Sequence, residues 1–153
     1  MSIHEKDYVV ISKQLSEIAK RDGIERTAVK VVLRDGDSIL LLKRAKEGRF
    51  PDLYELPGGG IKEDEDVFAG AIREVYEETG LVIKEFISQL EDLDFTPASD
   101  KKRCRQYIFI VLVEKGDIIL NPEEHYEYIW VSRSDIDVLD ILPNTRMILQ
   151  SLF

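Results

Sequence analysis

The alternation of apolar and polar positions changes character several times along the chain, and each change marks an element. Over residues 1 to 24 apolar and charged side chains are mixed. Val10, Leu15 and Ile18, with Ile11, can share one face of a helix ending at Gly23, while Tyr8-Val9-Val10-Ile11 equally reads as a strand. Two β-rich runs follow, Ala28–Leu33 and Ser38–Leu42, separated by Arg34-Asp35-Gly36-Asp37. An Asp-Gly pair between such runs predicts a hairpin. Gly48 to Pro57 reads as a loop that runs into a short strand, Tyr54–Leu56. Leu81 to Phe95 predicts one or two strands, and Thr96 to Arg105 a polar loop. Tyr107–Val113 is continuously apolar, the pattern of a strand buried on both faces. The turn Lys115-Gly116-Asp117 leads into Ile118-Ile119-Leu120, and Tyr128–Val131 is a further short strand. Ser132 or Ser134 is placed to cap a helical turn, and Asn144 to cap a last helix containing Met147, Ile148 and Leu149. Strands on both sides of a helix, closed by a C-terminal helix, predict an α/β sandwich with a mixed sheet. No repeat or linker divides the chain, so 1–153 reads as one domain with residues 1–24 packing on it as an extension or serving as a dimer contact.

The helix between those strands has an unusual polar face. It opens near Asp66 and stops at Gly80, a residue suited to a left-handed cap. With Glu74 at zero and about 100° per residue, Glu77 falls near 300° and Glu78 near 40°. Phe68, Ile72, Val75, Tyr76 and Thr79 fall between about 100° and 200°, which predicts the core-facing side. Gly70 lies on the carboxylate side, leaving room there for a ligand or a loop. Like charges one turn apart weaken a helix, and the bland reading is a solvated acidic face. The triplet Gly58-Gly59-Gly60 immediately upstream shifts that balance. Glycines let a backbone approach a ligand closely, and Mg²⁺ prefers oxygen ligands while bridging carboxylates to phosphates. Clustered glutamates beside such a turn suit that use, because a cation removes their mutual repulsion.

Charge and composition narrow the possibilities further. The chain of 153 residues carries a net charge of -9, which argues against a surface built for extended nucleic acid. A phosphate-bearing small molecule stays compatible if cations stand between acid and phosphate. The longest apolar run is too short to cross a bilayer, and the N-terminus lacks a signal-peptide pattern. The lone cysteine, Cys104, fits a small residue entering a strand better than a nucleophile, and it suits a reducing cytoplasm.

Read from Gly59, the central stretch runs Gly59, five residues, Glu65, seven residues, Arg73-Glu74-Val75, one residue, Glu77-Glu78, one residue, Gly80-Leu81. Every fixed position of a 23-residue signature is filled, and in this the chain resembles the Nudix hydrolases. The resemblance implies an α/β (α+β) fold, a Nudix-like α/β/α sandwich with a central mixed sheet. It implies Mg²⁺- or Mn²⁺-dependent hydrolysis of a phosphoanhydride, with Glu74, Glu77 and Glu78 as metal-binding and catalytic positions. Glu78 or Glu74 would double as the base, with a carbonyl of Gly58 or Gly59 as a further ligand. Glu65 and Arg73 would orient the ligand glutamates. Asp64 departs from the commonest form, where glycine precedes the box glutamate, and Tyr54 stands where tryptophan is common.

Substrate is less legible. A basic residue at the end of the second hairpin strand often faces substrate in such proteins, which makes Arg44 a candidate phosphate contact; a solvated strand end is the alternative. The acids before Trp130, Glu123, Glu124 and Glu127, could supply a further ligand or base, with Glu124 and Glu127 as substrate-side candidates, against the reading of a solvated loop. His125 reads as a loop or packing residue. Tyr54, Phe95, Tyr107 and Phe109 could stack on a base or lie in the core. Pro97, 16 residues after Leu81, sits near a proline found in ADP-ribose-hydrolysing members, while chain size favours a nucleoside triphosphate. The expectation is therefore conversion of a (deoxy)nucleoside triphosphate to the monophosphate and pyrophosphate. An ADP-ribose or nucleotide-sugar pyrophosphatase, or a non-catalytic nucleotide-sensing module, are the rivals. A small-molecule nucleotide is the expected partner, with a homodimer as a further possibility.

Overall fold

The computed structural model describes residues 2–153. Eight strands and three α-helices are arranged in the order α1 (Tyr8–Arg21), β1 (Arg26–Asp35), β2 (Ser38–Arg44), β3 (Tyr54–Glu55), β4 (Gly58–Gly60), α2 (Val67–Thr79), β5 (Ile83–Gln89), β6 (Leu93–Phe95), β7 (Cys104–Val113), β8 (His125–Val131) and α3 (Pro143–Leu152). The helical reading of the N-terminal segment is the one realised. The β1–β2 hairpin closes with Arg34 opposite Ile39 and Asp35 opposite Ser38, so Gly36 and Asp37 form a two-residue turn, with Gly36 at φ 59°. Cys104 is buried as the first residue of β7.

β7 lies parallel to β1 through eight residues and antiparallel to β5 and β6, which makes the sheet mixed. Successive strand side chains point to opposite faces, and the core is divided accordingly. Val29, Val31 and Leu33 of β1, Leu40 and Leu42 of β2, and Tyr107, Phe109 and Val111 of β7 pack against α1 and α2. Val32, Ile39, Leu41, Ile108 and Ile110 pack on the other side with Ile148 and Leu149 of α3. Two helices on one face and one on the other complete the α/β/α sandwich. α1 is fastened by Tyr8, whose ring stacks on Phe68 at 4.2 Å, and by Ser12 Oγ, which accepts the Val67 amide at 3.0 Å.

Several boundaries depart from the sequence pattern. Ile118–Leu120 forms no strand; the Ile119 amide instead donates to the Thr79 carbonyl at 2.8 Å, beyond the end of α2. β8 begins at His125, three residues earlier than the apolar run suggests, because its polar residues pair with Lys43 and Arg44. Ser132 caps a short 3₁₀ turn with Asp135. Asn144 does not cap α3: Leu142 is the N-cap and Pro143 occupies the first helical position, where a missing N–H costs nothing.

Candidate active site

α2 and β4 build the site together. Asp66 accepts the Ala69 amide at 2.9 Å and starts the helix, and Gly80 ends it at φ 74°. The helix is rotated relative to the expected face. Val67, Ala71, Val75, Phe68 and Thr79 are buried, which places the core sector between about 20° and 140° from Glu74. Ile72 and Tyr76 are exposed, contrary to the core placement expected of them. Glu78, near 40°, falls inside the buried sector, and only 3% of it is accessible.

Glu78 reaches the glycine strand. Its Oε1 accepts the Gly58 amide at 2.6 Å. Gly58 has φ 145°, and a Cβ there would stand 2.0 Å from the Val29 carbonyl oxygen, so this position requires glycine. At Gly59 a Cβ would lie 2.7–2.8 Å from the Glu74 carboxylate. The two glycines thus let both carboxylates close on the β4 backbone. Gly60 faces open space. The space beside Gly70 holds a loop: a Cβ there would meet Glu65 and Ile61.

Arg73 ties the acids together. Its Nε and Nη2 donate to both oxygens of Glu65 at 2.7 and 2.9 Å, and Nη1 donates to Glu74 at 2.9 Å and Glu77 at 3.2 Å. Nη2 also donates to the Gly60 carbonyl at 3.0 Å, which anchors helix to strand. The guanidinium holds the Glu65 carboxyl below its ordinary range. Glu77 is exposed, with no contact beyond Arg73 among its hydrogen bonds.

A second set of charged side chains, from β1, β2, β3 and β8, forms the facing wall. Glu55 is 4% exposed and sits among three partners. Lys30 Nζ donates to its Oε1 at 3.1 Å, Arg44 Nη1 to its Oε2 at 2.9 Å, and His125 Nε2 lies 2.7 Å from Oε2. Burial opposes ionisation of Glu55, but Lys30, His125 and Arg44 together bring its carboxyl down to about 2. Glu78 has the opposite balance. Burial outweighs Lys30 and the Gly58 amide, and with Glu55 and Glu74 nearby its carboxyl is pushed up to about 8. Burial also raises Glu74, against the pull of Arg73.

Between these walls lies a cavity of about 310 Å³, lined among others by Lys30, Arg44, Arg49, Glu78, Glu124 and His125. Arg44 and Glu124 therefore reach the cavity, and Glu127 does not line it. A β-bulge explains the difference: Glu127 pairs with Lys43 and His125 with Arg44, so the extra residue Tyr126 sends His125 inward and Glu127 outward. Glu127 instead accepts from Tyr54 Oη at 2.9 Å and pairs with Lys43 at 3.4 Å. His125 is the first residue of β8 rather than part of a loop, and it is 2% exposed. Lys30, Glu55 and His125 carry no local signal; their only trace in sequence is a charged or polar residue set within an apolar strand pattern. Tyr54, Tyr107 and Phe109 lie in the core, while Phe95 lines an adjoining apolar cavity.

The donor set suits a hard divalent cation. Glu74 and Glu78 are raised because no counter-charge offsets their burial fully, and the Gly58–Gly59 cradle leaves no room for a side chain beside them.

Comparison with known proteins bears on the family and the fold. A profile of the NUDIX domain matches residues 24–152. Among curated proteins, human diphosphoinositol polyphosphate phosphohydrolase NUDT4B is 33% identical over 95 residues, covering 61% of this chain and 49% of the relative. Mouse diphosphoinositol polyphosphate phosphohydrolase 3-alpha is 33% identical over 94 residues, covering 60% of this chain and 53% of the relative. The chain thus spans about half the length of these relatives. Among solved structures, a MutT protein from Methanosarcina mazei Go1 superposes with a TM-score of 0.70 at 28% identity, over 82% of this chain and 91% of that one. A MutT NUDIX hydrolase from Burkholderia pseudomallei shares the fold with a TM-score of 0.72 at 23% identity, over 84% and 98%. The profile match extends over most of the length and takes in the whole glycine–glutamate signature, and on that ground the chain belongs to the NUDIX domain family.

Proposed function

We propose that the chain hydrolyses a phosphoanhydride bond in a nucleoside diphosphate derivative with the help of Mg²⁺ or Mn²⁺, its preferred substrate class being a (deoxy)nucleoside triphosphate. The observation that carries this reading is the juxtaposition in one cavity of buried Glu78, with Glu74 and Glu77 beside it on the same helix, and a cationic wall of Lys30, Arg44 and Arg49. Acids alone would repel a diphosphate and cations alone would need no glutamates. Together they fit a cation on one side of the phosphates and direct charge contacts on the other.

Glu74, Glu77 and Glu78 would hold the cation, together with a carbonyl of Gly58 or Gly59. When bound, the ion neutralises phosphate charge and makes a coordinated water more acidic. Lys30 and Arg44 stay oriented toward the cavity because Glu55 fixes both. Glu78 or Glu74 accepts the proton of the attacking water, whose oxygen bonds to phosphorus as the bond to the departing phosphate oxygen breaks. Arg73, with Glu65 behind it, orients Glu74 without touching the phosphates.

The adjoining cavity, about 510 Å³, supports the nucleoside part of the reading. It shares Lys30, Arg44, Arg49 and Glu55 with the phosphate-side cavity and is lined by Phe50, Phe95 and Ile148. The Gln106 carbonyl oxygen on its wall is buried with no partner among the described residues. An aromatic heterocycle offering an N–H would satisfy it, and a wall that joins Phe50, Phe95, Pro97 and Ile148 to this unpaired acceptor, with the cations confined to the phosphate side, fits a base better than a phosphorylated ring. A panel of nucleoside triphosphates, ADP-ribose, nucleotide sugars and a diphosphoinositol polyphosphate, assayed with Mg²⁺ or Mn²⁺, tests the assignment. Highest kcat/KM on a nucleoside triphosphate, reduced by Gln106→Leu through KM, is the expected result. Preference for the inositol compound would overturn the substrate class while leaving the chemistry in place. Silence across the panel would favour a nucleotide-binding module.

A further inference from the structure

His125 stands outside the glutamate signature, yet it is the one polar side chain near Glu78 whose inner atom has no partner. It is 2% exposed, and its Nδ1 has no hydrogen-bond partner among the described residues. Its other nitrogen, Nε2, lies 2.7 Å from Glu55 Oε2. Glu55 is held ionised by Lys30 and Arg44, so it can only accept, and Nε2 must carry the proton of that contact. In the neutral ring this tautomer leaves the Nδ1 lone pair free. That lone pair faces Glu78 Oε2 at 3.5 Å, and both residues line the same cavity.

The spacing has a chemical meaning. Two donors each about 2.1 Å from a common ion stand roughly 3.0 to 3.5 Å apart for angles between about 90° and 110°. A carboxylate behind a histidine that fixes its tautomer and aims its second nitrogen is the usual support of a metal-bound imidazole. Glu55, His125 and Glu78 each offer a ligand atom within 4.8 Å of the others, but Glu55 is already engaged by two cations. It is the orienting member rather than a ligand.

We propose that His125 Nδ1 is a nitrogen ligand to the divalent cation held by Glu78, with Glu55 as its orienting carboxylate. This rests on the function proposed above and adds a property to it. An all-oxygen site serves Mg²⁺, whereas an imidazole ligand shifts preference toward the transition ions, Zn²⁺ above all, with Mn²⁺ the weakest binder of that series. The bulge at Tyr126 is then the backbone device that delivers this ligand, since without it His125 would face the same side as Glu127.

The test uses the full chain loaded with Mn²⁺ and read by pulsed electron paramagnetic resonance. A ¹⁴N modulation from a directly bound imidazole is expected, changing to the ¹⁵N pattern when only histidine is ¹⁵N-labelled. This readout needs neither turnover nor a variant. His125→Gln, which can keep a donor toward Glu55 but has no atom at Nδ1, should lose the modulation and bind Mn²⁺ more weakly by at least the roughly 10-fold that loss of an orienting partner alone costs. Its Mg²⁺ affinity should fall less. Mn²⁺ bound at the site with no nitrogen coupling in the unaltered protein would overturn this proposal alone, leaving an all-oxygen centre. No Mn²⁺ binding at all would overturn it together with the metal-dependent function.

Discussion

Replacing Glu78 by glutamine removes one charge and almost no volume, and the burial of that carboxylate gives the change a definite size. Glutamine can keep an oxygen as acceptor for the Gly58 amide that donates to Glu78 at 2.6 Å. In the metal-free protein the Glu78 carboxyl titrates near 8 rather than 4.5, because burial disfavours its ionised form. A carboxyl raised on folding leaves stability intact below its unfolded value and removes stability as pH rises toward the folded one. Each pH unit between those limits is worth about 1.4 kcal/mol, so ionising Glu78 costs on the order of 4 to 5 kcal/mol by pH 8.5. Urea unfolding in the presence of EDTA, at pH 5, 7 and 8.5, measures this directly. Glu78→Gln should match the unaltered protein within about 1 kcal/mol at pH 5 and exceed it by several kcal/mol at pH 8.5. Adding Mg²⁺ at pH 8.5 should stabilise the unaltered protein more than the variant, which keeps Glu74 and Glu77 but lacks the most deeply buried of the three carboxylates. Turnover should collapse in the variant despite its greater stability. Two stability profiles running parallel from pH 5 to 8.5 would refute the claim that Glu78 is a buried carboxylate awaiting a cation.

Glu55 should behave in the opposite sense. Its carboxyl titrates near 2, so its contribution is present above the ordinary value of 4.5 and lost as pH falls toward 2. Glu55→Gln should lose roughly 3 kcal/mol at pH 7 in urea unfolding, with the deficit shrinking below pH 4.5 to about 1 kcal/mol near pH 2.5. Along β4, Gly58→Ala should destabilise by about 2 kcal/mol or more because the Cβ meets the Val29 carbonyl and the backbone sits at φ 145°. Gly59→Ala should spare stability to about 1 kcal/mol but lower kcat by displacing Glu74, and Gly60→Ala should change neither. Arg73→Lys cannot reproduce the paired contacts to Glu65, so a loss of roughly 1 to 3 kcal/mol and a weaker metal affinity by calorimetry are expected.

Local chemistry was readable in the chain wherever one segment determined its own structure. The Asp35-Gly36 hairpin, the helix start near Asp66, the Gly80 stop and the apolar run of β7 each depend on residues within a turn or two. The glutamate signature was readable for the same reason, as one helix. What escaped was the part assembled across strands. Lys30, Glu55 and His125 come from β1, β3 and β8, and each looks unremarkable beside its own neighbours. Their shared wall exists only once β2 pairs with both β3 and β8. The bulge that separates His125 from Glu127 depends on that pairing too, and periodicity alone puts both on one side. The rotation of α2 was hidden by Ile72 and Tyr76, apolar residues that lie outside the face covered by the sheet. Pro143 was the available signal for the true start of α3, and the more familiar capping residue beside it, Asn144, masked it.

No helix among the described residues is long and apolar enough to cross a membrane. The proposed role of buried Glu78 and its neighbours Glu74 and Glu77 is to cleave a phosphoanhydride with the help of a cation. Its most direct measurement is phosphate release from the nucleotide panel after a coupled pyrophosphatase or phosphatase step, with and without Mg²⁺ or Mn²⁺. Release that requires the cation and disappears in Glu78→Gln is the expected result. Equal release from the unaltered protein and Glu78→Gln, or none from any nucleotide diphosphate derivative, would contradict the claim.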